Sequence, residues 1–203
     1  FINNEGGRRC CMPSKNLAFS AGGYNLLKSN DGGITWTRHP VSNDDYFMTI
    51  SFADTLNGLA STVWGQLAKI FRTFDGGETW QHISSIEGDA IYDICFVDSL
   101  VAYACTGATN VFKTTDGGYH WNSEYNTGVS GTILYGIHFV NRDVGYTVGY
   151  PGVVIKTTNG GDSWELLKPN LGNGLDFYQV HFKDENNGLV GGEIVAHTSD
   201  GGI

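Results

Sequence analysis

The sequence predicts an all-β protein, a β-propeller of four-stranded antiparallel blades. Three observations lead there. The pattern Ser/Thr-x-Asp/Asn-Gly-Gly-x-x-Trp occurs four times in full and a fifth time without its tryptophan. Its Asp or Asn falls at Asp31, Asp75, Asp116, Asn159 and Asp200, in steps of 44, 41, 43 and 41 residues. A fixed period of this size belongs to propellers and solenoids, whose repeats are single supersecondary units. Within each period, short runs of alternating apolar and polar residues mark four strands, the content of one propeller blade.

The first strand of repeats two to five is read at Met48 to Phe52, Tyr92 to Phe96, Tyr135 to Phe139 and Tyr178 to Phe182. A turn ends in Asn57-Gly58, Asp143-Val144-Gly145 or Asn187-Gly188. The second strand is rich in small residues: Leu59 to Ser61, Val101 to Ala104, Tyr146 to Val148, and Leu189-Val190. Small side chains there suit close packing of adjacent blades. The third is read at Leu67 to Arg72, Val111 to Thr114, Val153 to Thr157 and Ile194 to Thr198, and the fourth at Thr79 to Ile83, His120 to Ser123 and Ser163 to Leu167. In the first repeat a strand near Arg8 to Met12 is expected, made irregular by Pro13. The repeats then run over approximately 5–44, 45–88, 89–131, 132–174 and 175–203, as one propeller domain without a linker.

The repeated pattern has a local physical logic. Gly-Gly supplies the positive φ of a tight turn. The Asp or Asn before it accepts hydrogen bonds from the turn's own N–H groups, and the Ser/Thr hydroxyl adds another. Trp36, Trp80, Trp121 and Trp164 open the return strand and bury a large apolar face. The pattern resembles the Asp-box, or BNR, repeat. Gly145-Tyr146-Thr147-Val148-Gly149 followed by Ile155 to Trp164 is similar to the signature of the photosystem II assembly/stability factor family. The resemblance spans essentially the whole chain. It implies that the box is structural, and that the protein is a secreted, periplasmic or cell-surface module docking onto other proteins. Asp boxes also occur in sialidases, xyloglucanases and sortilin-type receptors, so the resemblance speaks for fold more than for function.

Composition narrows the partners. With 21 Asp and Glu against 12 Lys and Arg, the net charge is −9. That balance argues against nucleic acid and anionic membrane surfaces. No run of 18 apolar residues reads as a transmembrane helix. No signal peptide is read, and the start at Phe1 suggests a processed or partial sequence. Cys95 and Cys105 flank a predicted hairpin, as a disulfide or as a buried thiol pair; Cys10-Cys11 match no zinc spacing. No metal or cofactor is expected.

The end of the blades opposite the boxes carries the candidate site. Its loops hold Tyr24, Trp64 and Tyr150, and its blade connections hold Asp44, Asp45, Glu87, Asp89 and Asp176. Aromatic rings beside carboxylates suit a sugar or a basic protein patch; equally, such residues are ordinary on a soluble surface. The expected function is a non-enzymatic binding or assembly module for a protein or a glycan. The enzyme class stays open. A sialidase needs an arginine triad, and none of Arg8, Arg9, Arg38, Arg72 and Arg142 stands in that setting. A xyloglucanase-like hydrolase would need two opposed carboxylates, with Asp44 or Asp45 facing Asp89 or Asp176. His138 and His181 take equivalent first-strand positions. Counting box-to-strand separations leaves Phe1 to Asn4 a poor donor of a closing strand, so five consecutive repeats of a longer propeller are expected, with an associating edge at Ile194 to Thr198.

Overall fold

The computed structural model describes residues 8–42, 44–62, 67–87, 90–126, 131–167 and 174–202. Among them there are nineteen strands and no helix. The first sheet is β1 (Arg9–Cys11), β2 (Ala18–Ala21), β3 (Leu26–Ser29) and β4 (Thr37–His39). The second is β5 (Phe47–Phe52), β6 (Gly58–Thr62), β7 (Leu67–Thr73) and β8 (Gln81–Glu87). The third is β9 (Ile91–Phe96), β10 (Ala102–Thr106), β11 (Asn110–Thr114) and β12 (Asn122–Asn126). The fourth is β13 (Ile133–Phe139), β14 (Gly145–Tyr150), β15 (Val153–Thr157) and β16 (Glu165–Leu167). The fifth is β17 (Phe177–Phe182), β18 (Gly188–Gly192) and β19 (Val195–Thr198). In every sheet the strands follow chain order, the meander of a propeller blade. The all-β blade architecture expected from the repeats is therefore present. Strand donation by Phe1 to Asn4 lies outside the described residues.

Contacts group the chain into two compact units, Phe1–Ala102 with Thr114–Trp121, and Tyr103–Lys113 with Asn122–Ile203. In the first, Phe19, Leu26, Phe47, Ile50, Ala60 and Phe71 form the core. In the second, Tyr146, Val148, Phe177, Val180 and Phe182 do. Along β14 the core residues Tyr146 and Val148 are two apart, the period of side chains sharing one face of a strand.

The boxes fold as their chemistry requires. In the third, the Thr114 hydroxyl accepts from Gly118 N–H at 2.9 Å and donates to Asp116 Oδ1 at 2.8 Å. Asp116 also accepts from His120 N–H at 3.0 Å. The same bonds recur around Asp31, Asp75 and Asn159. The residue four after the Asp is thus held by the turn, and the return strand starts later than predicted. It begins at Gln81, Asn122 and Glu165 rather than Thr79, His120 and Ser163. The tryptophans stand just before these strands and are half-buried. The first Gly of each box donates its N–H to the turn between the first and second strands: Gly76 to Leu56 O at 3.0 Å, Gly160 to Asp143 O at 2.9 Å. Those turns are themselves closed by Asp54, Asp98, Asn141 and Asp184, whose side-chain oxygens accept from N–H groups two and three residues on.

Adjacent blades within each unit are joined by a repeated sandwich. An aromatic of one second strand stacks on the phenylalanine ending the next first strand. The pairs are Phe19 with Phe52 (4.1 Å between centroids), Tyr103 with Phe139 (3.8 Å) and Tyr146 with Phe182 (3.7 Å). The basic residue opening each box covers the outer ring and reaches the next box. Lys113 Nζ lies 5.4 Å from the Tyr103 ring and donates to Gly160 O at 2.7 Å. Lys156 does the same over Tyr146 and to Gly201 O at 3.1 Å. Lys28 covers Phe19 but pairs with Glu78 instead. The second joint departs further. Leu59 cannot stack, and the Arg72 guanidinium lies over Phe96 (5.3 Å) and Phe74 (4.7 Å) while donating to Gly117 O at 2.6 Å. The joints are tight: at Gly77 (φ 79°) a Cβ would come within 2.6 Å of the Phe19 ring.

Candidate functional site

In the first unit, the structure brings together part of the predicted set. Tyr24 is 58 % exposed and meets Tyr46 edge-on, 5.5 Å between centroids. Strand β5 starts beside it because Phe47 N–H donates to Gly23 O at 2.7 Å. Asp44 is exposed on the connection leading in. Asp45 is not a free acid: Lys69 Nζ holds both its oxygens, at 2.8 and 3.0 Å. Burial works to raise its pKa, but the Lys69 and Ser42 hydrogen bonds and the Lys69 charge override it and keep the carboxyl below its usual range. Trp64 and Asp89 lie outside the described residues.

In the second unit, a fuller arrangement forms at the ends of β13, β14 and β17. Tyr150 ends β14 opposite Ile133 and is 43 % exposed. Tyr135 and Tyr178, at equivalent places in neighbouring first strands, lie 5.3 Å apart between centroids. The Asp176 N–H donates to Glu193 Oε2 at 3.1 Å, and Glu193 N–H to Asp176 O at 3.0 Å, which fixes the Glu193 carboxylate, while the Tyr178 hydroxyl donates to Asp176 Oδ2 at 3.5 Å. The Tyr178 hydroxyl is raised above its ordinary pKa by burial and by Asp176 and Glu193. It stays a neutral donor at physiological pH. The arrangement offers flat aromatic faces, a phenol donor and negative charge, which recognise a cationic side chain or a hydroxylated ring. Sequence reasoning missed Tyr46, Tyr135, Tyr178 and Glu193. Tyr92, Tyr135 and Tyr178 are spaced 43 residues apart, a periodic signal that does point to them.

The inner strands carry polar groups that the structure assigns to packing. Asp93 accepts from Thr49 at 3.0 Å and pairs with Arg9 at 3.2 Å, joining three successive first strands. Both charged side chains are mostly buried, so each stabilises the other against desolvation. Burial, with Cys10 and Asp93 adding to it, pushes the Cys11 thiol up to about 12, which leaves it unreactive as a nucleophile. His138 stands 4.5 Å from His181 between ring centroids, with its Nε2 at 3.0 Å from Phe182 O. Burial and the neighbouring imidazole depress its pKa. Among the described residues, no three His, Cys, Asp or Glu side chains converge as a metal site. No disulfide joins the four cysteines, so Cys95 and Cys105 are thiols.

Blades of this topology, boxes and joints define an Asp-box β-propeller. Comparison with known proteins narrows the class. The family model for photosynthesis system II assembly factor YCF48 matches residues 18–133, 84–156 and 129–203, and the chain belongs to that family. It is 29 % identical over 114 residues to the chloroplastic photosystem II stability/assembly factor HCF136 of Arabidopsis thaliana. That match covers 52 % of this chain and 27 % of the relative's length. Among solved structures, YCF48 bound to D1 peptide is similar at a TM-score of 0.57 and 16 % identity, covering all of this chain and 82 % of that one. An ancestral GH74 enzyme is similar at 0.71 and 17 % identity, over 91 % of this chain and 28 % of that one. At these identities the structural likenesses show the fold alone.

Proposed function

We propose that the chain is a non-enzymatic binding module that docks onto another protein outside the cytoplasm, in a secreted, periplasmic or cell-surface setting. The observation that supports this best is the tyrosine–carboxylate cluster of Tyr135, Tyr178, Asp176 and Glu193, joined to membership of a family in which YCF48 has been seen with a bound peptide. The ligand this chemistry favours is an extended polypeptide carrying Lys or Arg, whose cation lies against tyrosine faces and a fixed carboxylate. A glycan would use the same rings by stacking, and an open blade edge offers a further place of association. The test is binding of an Arg-rich peptide by calorimetry. Tyr178→Ala with Asp176→Asn is expected to weaken affinity about tenfold, with a melting temperature within about 2 °C. Equal affinity for wild type and double variant would defeat the proposal.

A polysaccharide hydrolase is the competing reading, and the GH74 likeness extends to fold alone. Asp45, tied to Lys69 and held ionised, is unsuited to the general acid role, which needs a raised pKa. Release of reducing sugar from β-glucan that is abolished by alanine at Asp44, Asp45, Asp89 or Asp176 would establish the enzyme instead.

A further inference from the structure

The first Gly of each box marks equivalent residues in the turns between first and second strands. Its N–H donates to the carbonyl of Asn16, Leu56, Leu100, Asp143 and Asn186 in the five repeats. Asn16, Asp143 and Asn186 are polar and exposed. The second and third repeats place leucine there instead, and Leu56 and Leu100 are still 54 % and 56 % exposed. The residue before each box Asp or Asn shows the same contrast. It is Asn30, Thr115, Thr158 and Ser199 in four repeats, and Phe74, 54 % exposed, in the second. Tyr119, just after the glycines of the third box, holds the place that Asp162 holds in the fourth and is 46 % exposed. All four apolar residues lie in the first unit, gathered around Arg72. Its guanidinium lies 4.7 Å from the Phe74 ring and donates to Asn57 Oδ1 at 3.2 Å, Ser99 O at 3.1 Å and Gly117 O at 2.6 Å. Asn57 and Ser99 adjoin Leu56 and Leu100, and Gly117 stands two residues before Tyr119.

Single apolar residues on a surface are ordinary, but four around one guanidinium form a patch of the kind that partners cover. Its charge is one-sided. The segments 53–57, 74–79, 97–101 and 115–120 hold Asp54, Asp75, Glu78, Asp98 and Asp116 and no Lys or Arg. Arg72 itself is only 3 % exposed, so a visitor meets carboxylates around an apolar centre. We propose that Leu56, Phe74, Leu100 and Tyr119 form a docking surface for a segment of another protein in which Leu or Phe side chains alternate with Lys or Arg. The apolar centre buries the segment's apolar side chains, and the carboxylates attract its cations and reject acidic competitors. A second copy of this chain would set the same five carboxylates against these, which disfavours it as the occupant. The second and third blades are flanked in the chain by complete four-stranded blades, so the patch is interior to the repeat series. It shares no residue with the tyrosine–carboxylate cluster and adds a second surface to it.

The test uses the 203-residue chain and a dye-labelled, end-capped peptide Lys-Leu-Lys-Phe-Lys-Leu-Lys. Two control peptides carry Glu at each Lys, or Ser at each Leu and Phe. Saturable binding below about 1 mM is expected for the first peptide, and at least about tenfold weaker binding for both controls. Leu56→Asn with Leu100→Asn brings in the residue that the first and fifth repeats carry, and should weaken the peptide at least about tenfold. In the wild type, the methyl signals of Leu56 and Leu100 should shift on titration, while those of Leu166, an exposed leucine of the fourth blade, stay in place. This measurement decides the matter even where the double variant fails to fold. Undiminished binding by a folded double variant, equal binding of either control, or unmoved Leu56 and Leu100 signals would overturn the proposal. So would self-association that the double variant abolishes, since a second copy would then be the occupant. Tyr178→Ala with Asp176→Asn should bind the peptide as the wild type does; a loss there would place the peptide on the tyrosine–carboxylate cluster instead.

Discussion

Replacing Thr114 with valine keeps the side chain's shape and removes its hydroxyl. Thr114 is fully buried, and that hydroxyl is the acceptor of the buried Gly118 N–H at 2.9 Å and the donor to Asp116 Oδ1 at 2.8 Å. Valine leaves the amide dry and without an acceptor, which costs about 1–3 kcal/mol, and removes a hydrogen bond to a charged group besides. A loss of about 2–3 kcal/mol is expected, or roughly 5–10 °C in melting temperature for a chain of this size. Thr114→Ser keeps the hydroxyl and gives up one methyl, so it should lose under about 1 kcal/mol. Urea titration of the three proteins gives the stabilities, and amide exchange at Gly118 reports the local opening. If valine is as stable as threonine, or if serine is as damaging as valine, the hydroxyl does not hold the turn.

Asp116→Ala should destabilise by about 1–2 kcal/mol by unlinking Thr114 and the His120 N–H, while any ligand affinity survives wherever the fold is intact; lost binding at unchanged melting temperature would make the box functional. Thr35 and Thr79 hold Asp31 and Asp75 at a pKa of about 2 against an ordinary 3.8, so the folded state favours the ionised forms. Their stabilisation is complete above pH 3.8 and is lost as pH falls through 2; the urea midpoint should drop across that window and drop less in the Asp31→Asn/Asp75→Asn variant, whose amides accept as Asn159 does. Lys156→Met keeps the apolar stem over Tyr146 but removes the donor to Gly201 O, and should cost about 1–2 kcal/mol with faster amide exchange in β17 to β19. Under denaturing, non-reducing conditions all four cysteines should react as thiols; fewer would mean a bridge.

Local chemistry explains what the sequence made legible. The boxes close within five residues, from Ser29 to Gly33 and Thr157 to Gly161, so their pattern and bonding could be read directly. The four-strand period follows from the same spacing. The candidate site depended on contacts that no local pattern carries. Asp45 looked like an available acid because Lys69, 24 residues away, gives no sign of pairing with it. Tyr178 and Tyr135 looked like ordinary strand residues because they meet across two blades, 43 positions apart. Glu193 was overlooked because its place is fixed through backbone bonds to Asp176, 17 residues earlier. The start of each return strand was misplaced for the opposite reason: the box's own hydrogen bonds extend further than its pattern suggested.

The exception at the second joint says something about how such a chain can change. Wherever the second strand offers Phe19, Tyr103 or Tyr146, the box opens with lysine; where it offers Leu59, the box opens with arginine, whose flat guanidinium covers Phe96 in place of a ring. The two substitutions compensate each other and lie within one repeat, so a duplicated repeat carries its own remedy along. Each copy brings half of the joint on either side, and tandem duplication, deletion or reshuffling of whole repeats needs no new contact to be invented. A repeat grafted with leucine and lysine together, lacking both plates, is the combination this design leaves without support, and the pair at 59 and 72 forms one unit of inheritance.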